Sequence, residues 1–148
     1  MDVKVAKTAG FCFGVKRAVE EVYKVAETTK GTVYTYGPII HNEEVVSDLE
    51  KKGVKVLETE EDLKNLTEGT VIIRSHGVPK YIYELLEERN ISYVDVTCPF
   101  VLKIHRIVEK ESAQGKHIVI VGDPNHPEVV GIKGWCQRKA TIIKTKED

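Results

Sequence analysis

Cysteine, histidine and glutamate recur at matched places in this chain, and they are groups that bind metals and anions and move protons. Cys12 lies in Ala9-Gly10-Phe11-Cys12-Phe13-Gly14-Val15, and Cys98 lies in Val96-Thr97-Cys98-Pro99-Phe100-Val101. Gly37-Pro38-Ile39-Ile40-His41-Asn42-Glu43 is echoed by Gly122-Asp123-Pro124-Asn125-His126-Pro127-Glu128. Val56-Leu57-Glu58-Thr59-Glu60-Glu61-Asp62 is echoed by Ile142-Ile143-Lys144-Thr145-Lys146-Glu147-Asp148. All three echoes share one shift of about 85 residues, so the chain is an internal repeat. The first unit is complete, and the second stops near its middle. This pattern predicts a fragment of something longer.

Cys12 and Cys98 each precede a predicted helix. The positive end of a helix dipole favours the thiolate, which is the metal-binding form. Cys12 and Cys98 are therefore candidate ligands for iron or zinc. The alternative is a pair of buried structural cysteines; matching places in two repeats favour ligands. With no local C-x-x-C, a metal site must be assembled from separate units. His41, His76 and His126 fall beside Gly, Asn, Ser or Pro at predicted strand ends. Imidazoles together with free N–H groups at helix starts suit an anion such as phosphate. Glu128 follows His126 in a first helical turn. It is either a proton donor beside a bound anion or a residue matched to the helix dipole, as Glu43 would be. Cys136, His105 and His117 read as structural, and Lys16 and Arg17 read as a solvated helix face.

The positioning elements follow from periodicity. Val3–Ala6 reads as a short strand, and Val15, Ala18, Val19, Val22 and Ala26 keep helical spacing. Strands are expected at 32–36, 54–57, 71–73, 91–96, 117–121 and 141–143. Helices are expected at 43–52, capped by Asn42, and at 79–89, 99–114 and 127–134. A short helical turn is expected near Leu63 and Leu66. Strands alternating with helices imply an α/β fold, with repeated lobes of parallel sheet flanked by helices. One lobe is complete (1–97), and part of a second follows (98–148). Ligands in such folds bind at the carboxyl ends of strands. Cys12, His41, His76, Cys98 and His126 are each expected there, between a strand and a helix.

Bulk properties exclude several classes. The chain has 148 residues, 41% hydrophobic and 30% charged, which is ordinary globular composition. No apolar run approaches the roughly 18 residues of a membrane span. A net charge of −1 gives no nucleic-acid footprint. Three cysteines and no export signal argue against a disulfide scaffold and for a reducing cytoplasm.

Five segments together resemble the LytB/IspH family of 4-hydroxy-3-methylbut-2-enyl diphosphate reductases. They are Ala9–Ala18, Gly37–Asn42, Arg74-Ser75-His76-Gly77-Val78-Pro79, Asp95-Val96-Thr97-Cys98-Pro99 and His126-Pro127-Glu128-Val129. The resemblance implies a three-lobed α/β protein around one [4Fe–4S] cluster. The family reductively removes the hydroxyl of an allylic diphosphate, giving isopentenyl and dimethylallyl diphosphate in the last step of the non-mevalonate isoprenoid pathway. By resemblance Cys12 and Cys98 are cluster ligands. His41, His76 and His126 hold the diphosphate, Glu128 donates a proton, and ferredoxin or flavodoxin supplies electrons. The third cysteine and a Ser/Asn-rich loop of the family have no counterpart here, so the chain alone is expected to be inactive. A zinc-binding module, and a phosphate-binding module without catalysis, are the competing readings.

Overall fold

A computed structural model describes residues 2–147; Met1 and Asp148, the last residue of the third echo, lie outside the described residues. The order of elements is α1 (Phe13–Thr28), β1 (Val33–Tyr36), α2 (Glu43–Lys51), β2 (Lys55–Leu57), α3 (Glu60–Asn65) and β3 (Thr70–Ile73). It continues with α4 (Lys80–Glu88), β4 (Ser92–Asp95), α5 (Pro99–Ala113), β5 (Val119–Val121), α6 (Pro127–Lys133) and β6 (Thr141–Ile143). Four strands form one parallel sheet in the order β2-β1-β3-β4, and β5 and β6 form a second parallel pair. Parallel neighbours need crossover helices, which is why strand and helix alternate.

The side-chain alternation of strands sorts the core into two faces. Val33 and Ile72 face Ala18, Val22 and Val25 of α1 and Leu49 of α2. Val71 and Ile73 face Leu63 of α3 and Ile82 and Leu86 of α4. β3 is buried on both faces because helices cover both. A third, smaller cluster joins Val108 of α5 with Ile120, Val129, Ile132 and Ala140. Local chemistry sets the boundaries. Asn42 Oδ1 accepts the Val45 amide and starts α2. Thr59 and Asp62 form a reciprocal capping box on α3. Pro99 opens α5, and Gly115, in the left-handed region, follows its end.

The expected strand at Val3–Ala6 does not form. Val3 and Val5 are exposed, and no ladder pairs with them among the described residues. Apolar alternation is a strand signal only where one face is buried and a neighbouring strand satisfies the backbone. Among the described residues, no helix is long and apolar enough to cross a membrane.

Candidate active site at the carboxyl ends of the strands

Register places the loops. Tyr36 pairs with Leu57 and with Ile73, and Ile73 pairs with Asp95, so β2, β1, β3 and β4 end level. The loops carrying His41, His76 and Cys98 therefore leave one edge of one sheet. Hydrogen bonds then join loop to loop. Ser75 Oγ donates to Ile39 O at 3.1 Å, tying the His76 loop to the His41 loop. Cys98 N donates to Ser75 O at 2.9 Å, tying in the second cysteine. Asp95 Oδ1 accepts the Thr97 amide at 2.8 Å and shapes the turn before Cys98.

Cys12 and Cys98 are the N-caps of α1 and α5, and neither side chain makes a capping hydrogen bond. Both sulfurs are therefore left for other partners. Cys12 is exposed and is reached along irregular chain with a turn at Lys7 and Thr8, not from a strand, which corrects the expected strand-to-helix setting. α1 approaches Cys98 closely through Gly14: a Cβ there would lie 2.6 Å from Cys98 Sγ. Only glycine admits that contact. Arg17, expected to be solvated, is instead half-buried, and its Nη2 donates to Thr97 O at 2.6 Å. It fastens α1 beside Cys98. Gly14 and Arg17 are three residues apart on one helix, and that shared face was the available signal in the sequence.

A cavity of about 220 Å³ is lined by Cys12, Gly14, Ser75, His76, Cys98 and Glu128. His76 also lines a neighbouring cavity of about 240 Å³ with His41 and Phe11. The three site imidazoles form a triangle. Ring centroids are 4.8 Å apart for His41 and His76, 6.1 Å for His76 and His126, and 6.5 Å for His41 and His126. Burial pushes the His76 imidazole down to about 4, helped by the nearby charges of His41, Arg74 and His126. At neutral pH His76 is therefore uncharged and offers one N–H. His126 caps α6, and its Nδ1 accepts the Glu128 amide at 3.2 Å. With Nδ1 accepting, the His126 ring proton sits on Nε2, which is left as a donor. The same bond holds His126 against the first turn that carries Glu128.

The remaining titratable candidates lie outside this group. Cys136 is half-buried against the third core cluster, its Sγ faces Ile132 O at 3.7 Å, and burial raises its thiol pKa. His117 is exposed and shares a 2.8 Å contact with Thr141 Oγ1. His105 is buried in α5. All three match the structural reading. Among the described residues, no group of three Cys, His, Asp or Glu side chains is arranged to hold a metal ion. Two thiols at helix starts suit one edge of an iron–sulfur cluster; they do not enclose one.

The family model of the LytB protein matches residues 3–148. This chain belongs to the LytB family. It is 53% identical over 149 residues to the 4-hydroxy-3-methylbut-2-enyl diphosphate reductase of Caldanaerobacter subterraneus, covering 100% of this chain and 52% of that protein. The reductase of Alkaliphilus oremlandii is 51% identical over the same share. A solved structure of (E)-4-hydroxy-3-methyl-but-2-enyl diphosphate reductase, described as the terminal enzyme of the non-mevalonate pathway, superposes with a TM-score of 0.82 at 42% identity. It covers 98% of this chain and 52% of that one. The Plasmodium falciparum reductase gives a TM-score of 0.87 at 30% identity, covering 95% of this chain and 44% of that one. The chain spans about half the length of these LytB relatives, and the parallel α/β architecture is shared with the solved reductases.

Proposed function

We propose that this chain is the part of a 4-hydroxy-3-methylbut-2-enyl diphosphate reductase that carries the diphosphate cradle, the proton donor and two cluster thiols. The triangle of His41, His76 and His126, beside a cavity shared by Cys12, Cys98 and Glu128, carries the proposal. The division into lobes 1–97 and 98–148 is part of the same reading, supported by the two separate sheets.

Three convergent imidazoles give directed N–H donors, which suits a polyanion. A diphosphate opposes the local field that holds the His76 imidazole down, so His76 takes up a proton as it binds. Glu128, in the first turn behind His126, stands where a carboxyl can pass a proton to a hydroxyl leaving as water. Cys12 and Cys98 would hold two corners of a [4Fe–4S] cluster. When bound, that group supplies single electrons and an open iron as a Lewis acid. Ferredoxin or flavodoxin is the proposed donor, and a reducing cytoplasm the proposed setting. With two of its three thiols, Cys12 and Cys98, at the site and Cys136 outside it, the chain alone does not turn over substrate.

Inorganic pyrophosphate titrated calorimetrically in buffers of different ionisation enthalpy tests the cradle. Binding with net proton uptake is expected, and it is lost in the His41→Ala/His126→Ala double variant. Unchanged affinity in that variant refutes the cradle. Anaerobic reconstitution with iron and sulfide tests the thiols: a brown chromophore near ~400 nm separates iron–sulfur from colourless zinc. Its persistence in Cys12→Ser/Cys98→Ser would exclude these ligands.

A further inference from the structure

His105 belongs to none of the groups above, yet it touches the backbone behind two of them. Its imidazole is 1% exposed, and neither ring nitrogen has a hydrogen-bond partner. Orphaned polar atoms in a core cost stability that an apolar filler would not, so the position calls for an account. The ring stacks nearly flat on Trp135, with centroids 5.2 Å apart and planes at 18°. Trp135 is itself pinned, its Nε1–H donating to Val78 O at 2.9 Å.

The edge of the His105 ring faces Gly77, the residue directly after His76. Gly77 has φ +72°, in the left-handed region, and a Cβ on it would lie 2.6 Å from His105 Cε1. The ring also faces Gly131 of α6, where a Cβ would lie 3.6 Å from Nε2. Gly131 is about one turn beyond Glu128 on the helix that His126 caps. One rigid ring thus packs against both the turn that follows His76 and the helix that begins at His126. The two segments also touch each other directly: a Cβ on Gly131 would lie 3.6 Å from Gly77 C, and one on Gly134 would press on Pro79. Beside them Lys80 Nζ meets Glu109 at 2.5 Å and lies 5.9 Å from the Trp135 ring centre.

We propose that His105 is a positioning residue, a flat ring wedged where the Gly77 turn meets α6, which fixes how the two segments meet and so the placement of His76 relative to His126 and Glu128. The role rests on the diphosphate-cradle reading for its functional meaning, and on the packing alone for its geometry. The ring acts through shape, since neither nitrogen is engaged.

The test uses the whole chain, pyrophosphate calorimetry and ¹H–¹³C imidazole spectra of His76 and His126. His105→Leu keeps an apolar filler without a flat ring. It should weaken pyrophosphate binding by about tenfold or more and move both imidazole signals. His105→Phe restores a flat ring and should stay within about twofold of native affinity, with the signals near their native places. Ile107→Ala changes an exposed position of the same helix and should leave affinity and signals unchanged. Native-like binding and spectra in His105→Leu, or an equal loss in Ile107→Ala, overturn the proposal. Should the leucine variant fail to fold, displaced signals in His105→Phe overturn it instead. If the native chain binds no pyrophosphate, the cradle reading falls, and the imidazole signals alone decide the role of His105.

Discussion

In the first unit β1 has a parallel partner on each edge, β2 and β3, whereas in the second β5 has β6 on one edge and no strand on the other among the described residues. The consequence is visible in matched residues. Ala18 of α1 is fully buried against the sheet; Ile104, at the equivalent place in α5, is 38% exposed. Tyr36, at the end of β1, is half-buried, and its counterpart Val121 is 78% exposed. Phe100 and Ile107 extend the same exposed face of α5. Similar sequence signals build similar local elements in both units. Burial depends on the strands beside them.

The largest expected contrast is in stability. Ile72→Ala, in a strand paired on both edges and covered on both faces, should cost about 4 kcal/mol; Ile120→Ala should cost about 2 kcal/mol. Equal shifts in the denaturation midpoint would erase the distinction between the units. A reciprocal exchange gives a smaller contrast. Ala18→Ile overpacks a closed interface and should cost about 1–3 kcal/mol. Ile104→Ala removes a partly exposed side chain and should cost under about 1 kcal/mol. A larger loss from Ile104→Ala would show that α5 is packed as tightly as α1.

The smallest contrast is in acid. His76 in the first unit and His105 in the second both have imidazoles lowered to about 4, chiefly by burial. Between about pH 4 and the ordinary value of 6.5 the unfolded chain binds more protons than the folded one. Stability is therefore full above pH 6.5 and declines as pH falls towards 4. Urea unfolding across this window should show the decline. His105→Phe should remove one part of it and leave the part due to His76. A flat profile would mean that neither ring titrates differently on folding.

The helices and the sheeted strands were legible because their signals are local: Asn42 before α2, Pro99 at the start of α5, and glycines after α2 and α5. The candidate site residues were singled out through the repeat and the family motifs, and the structure brings them together at one opening. What could not be read was relational. Val3 and Val5 alternate as a strand would, but no neighbouring strand exists for them among the described residues. Arg17 reads as an ordinary exposed cation, and its partner is a backbone carbonyl that leaves no trace in residue identity. The packing of the His105 ring against Gly77 and Gly131 is likewise a tertiary fact. Side chains that serve the backbone of a distant segment carry no spacing rule.

The Arg17–Thr97 contact has a consequence for the metal uptake proposed above. Because α1 is fastened to the chain just ahead of Cys98, and Gly14 lets it lie against the sulfur, folding alone delivers both thiols to one opening. An incoming ion meets a grip already shaped. Its arrival should leave the far-ultraviolet circular dichroism unchanged, and its removal by a chelator should leave the chain folded.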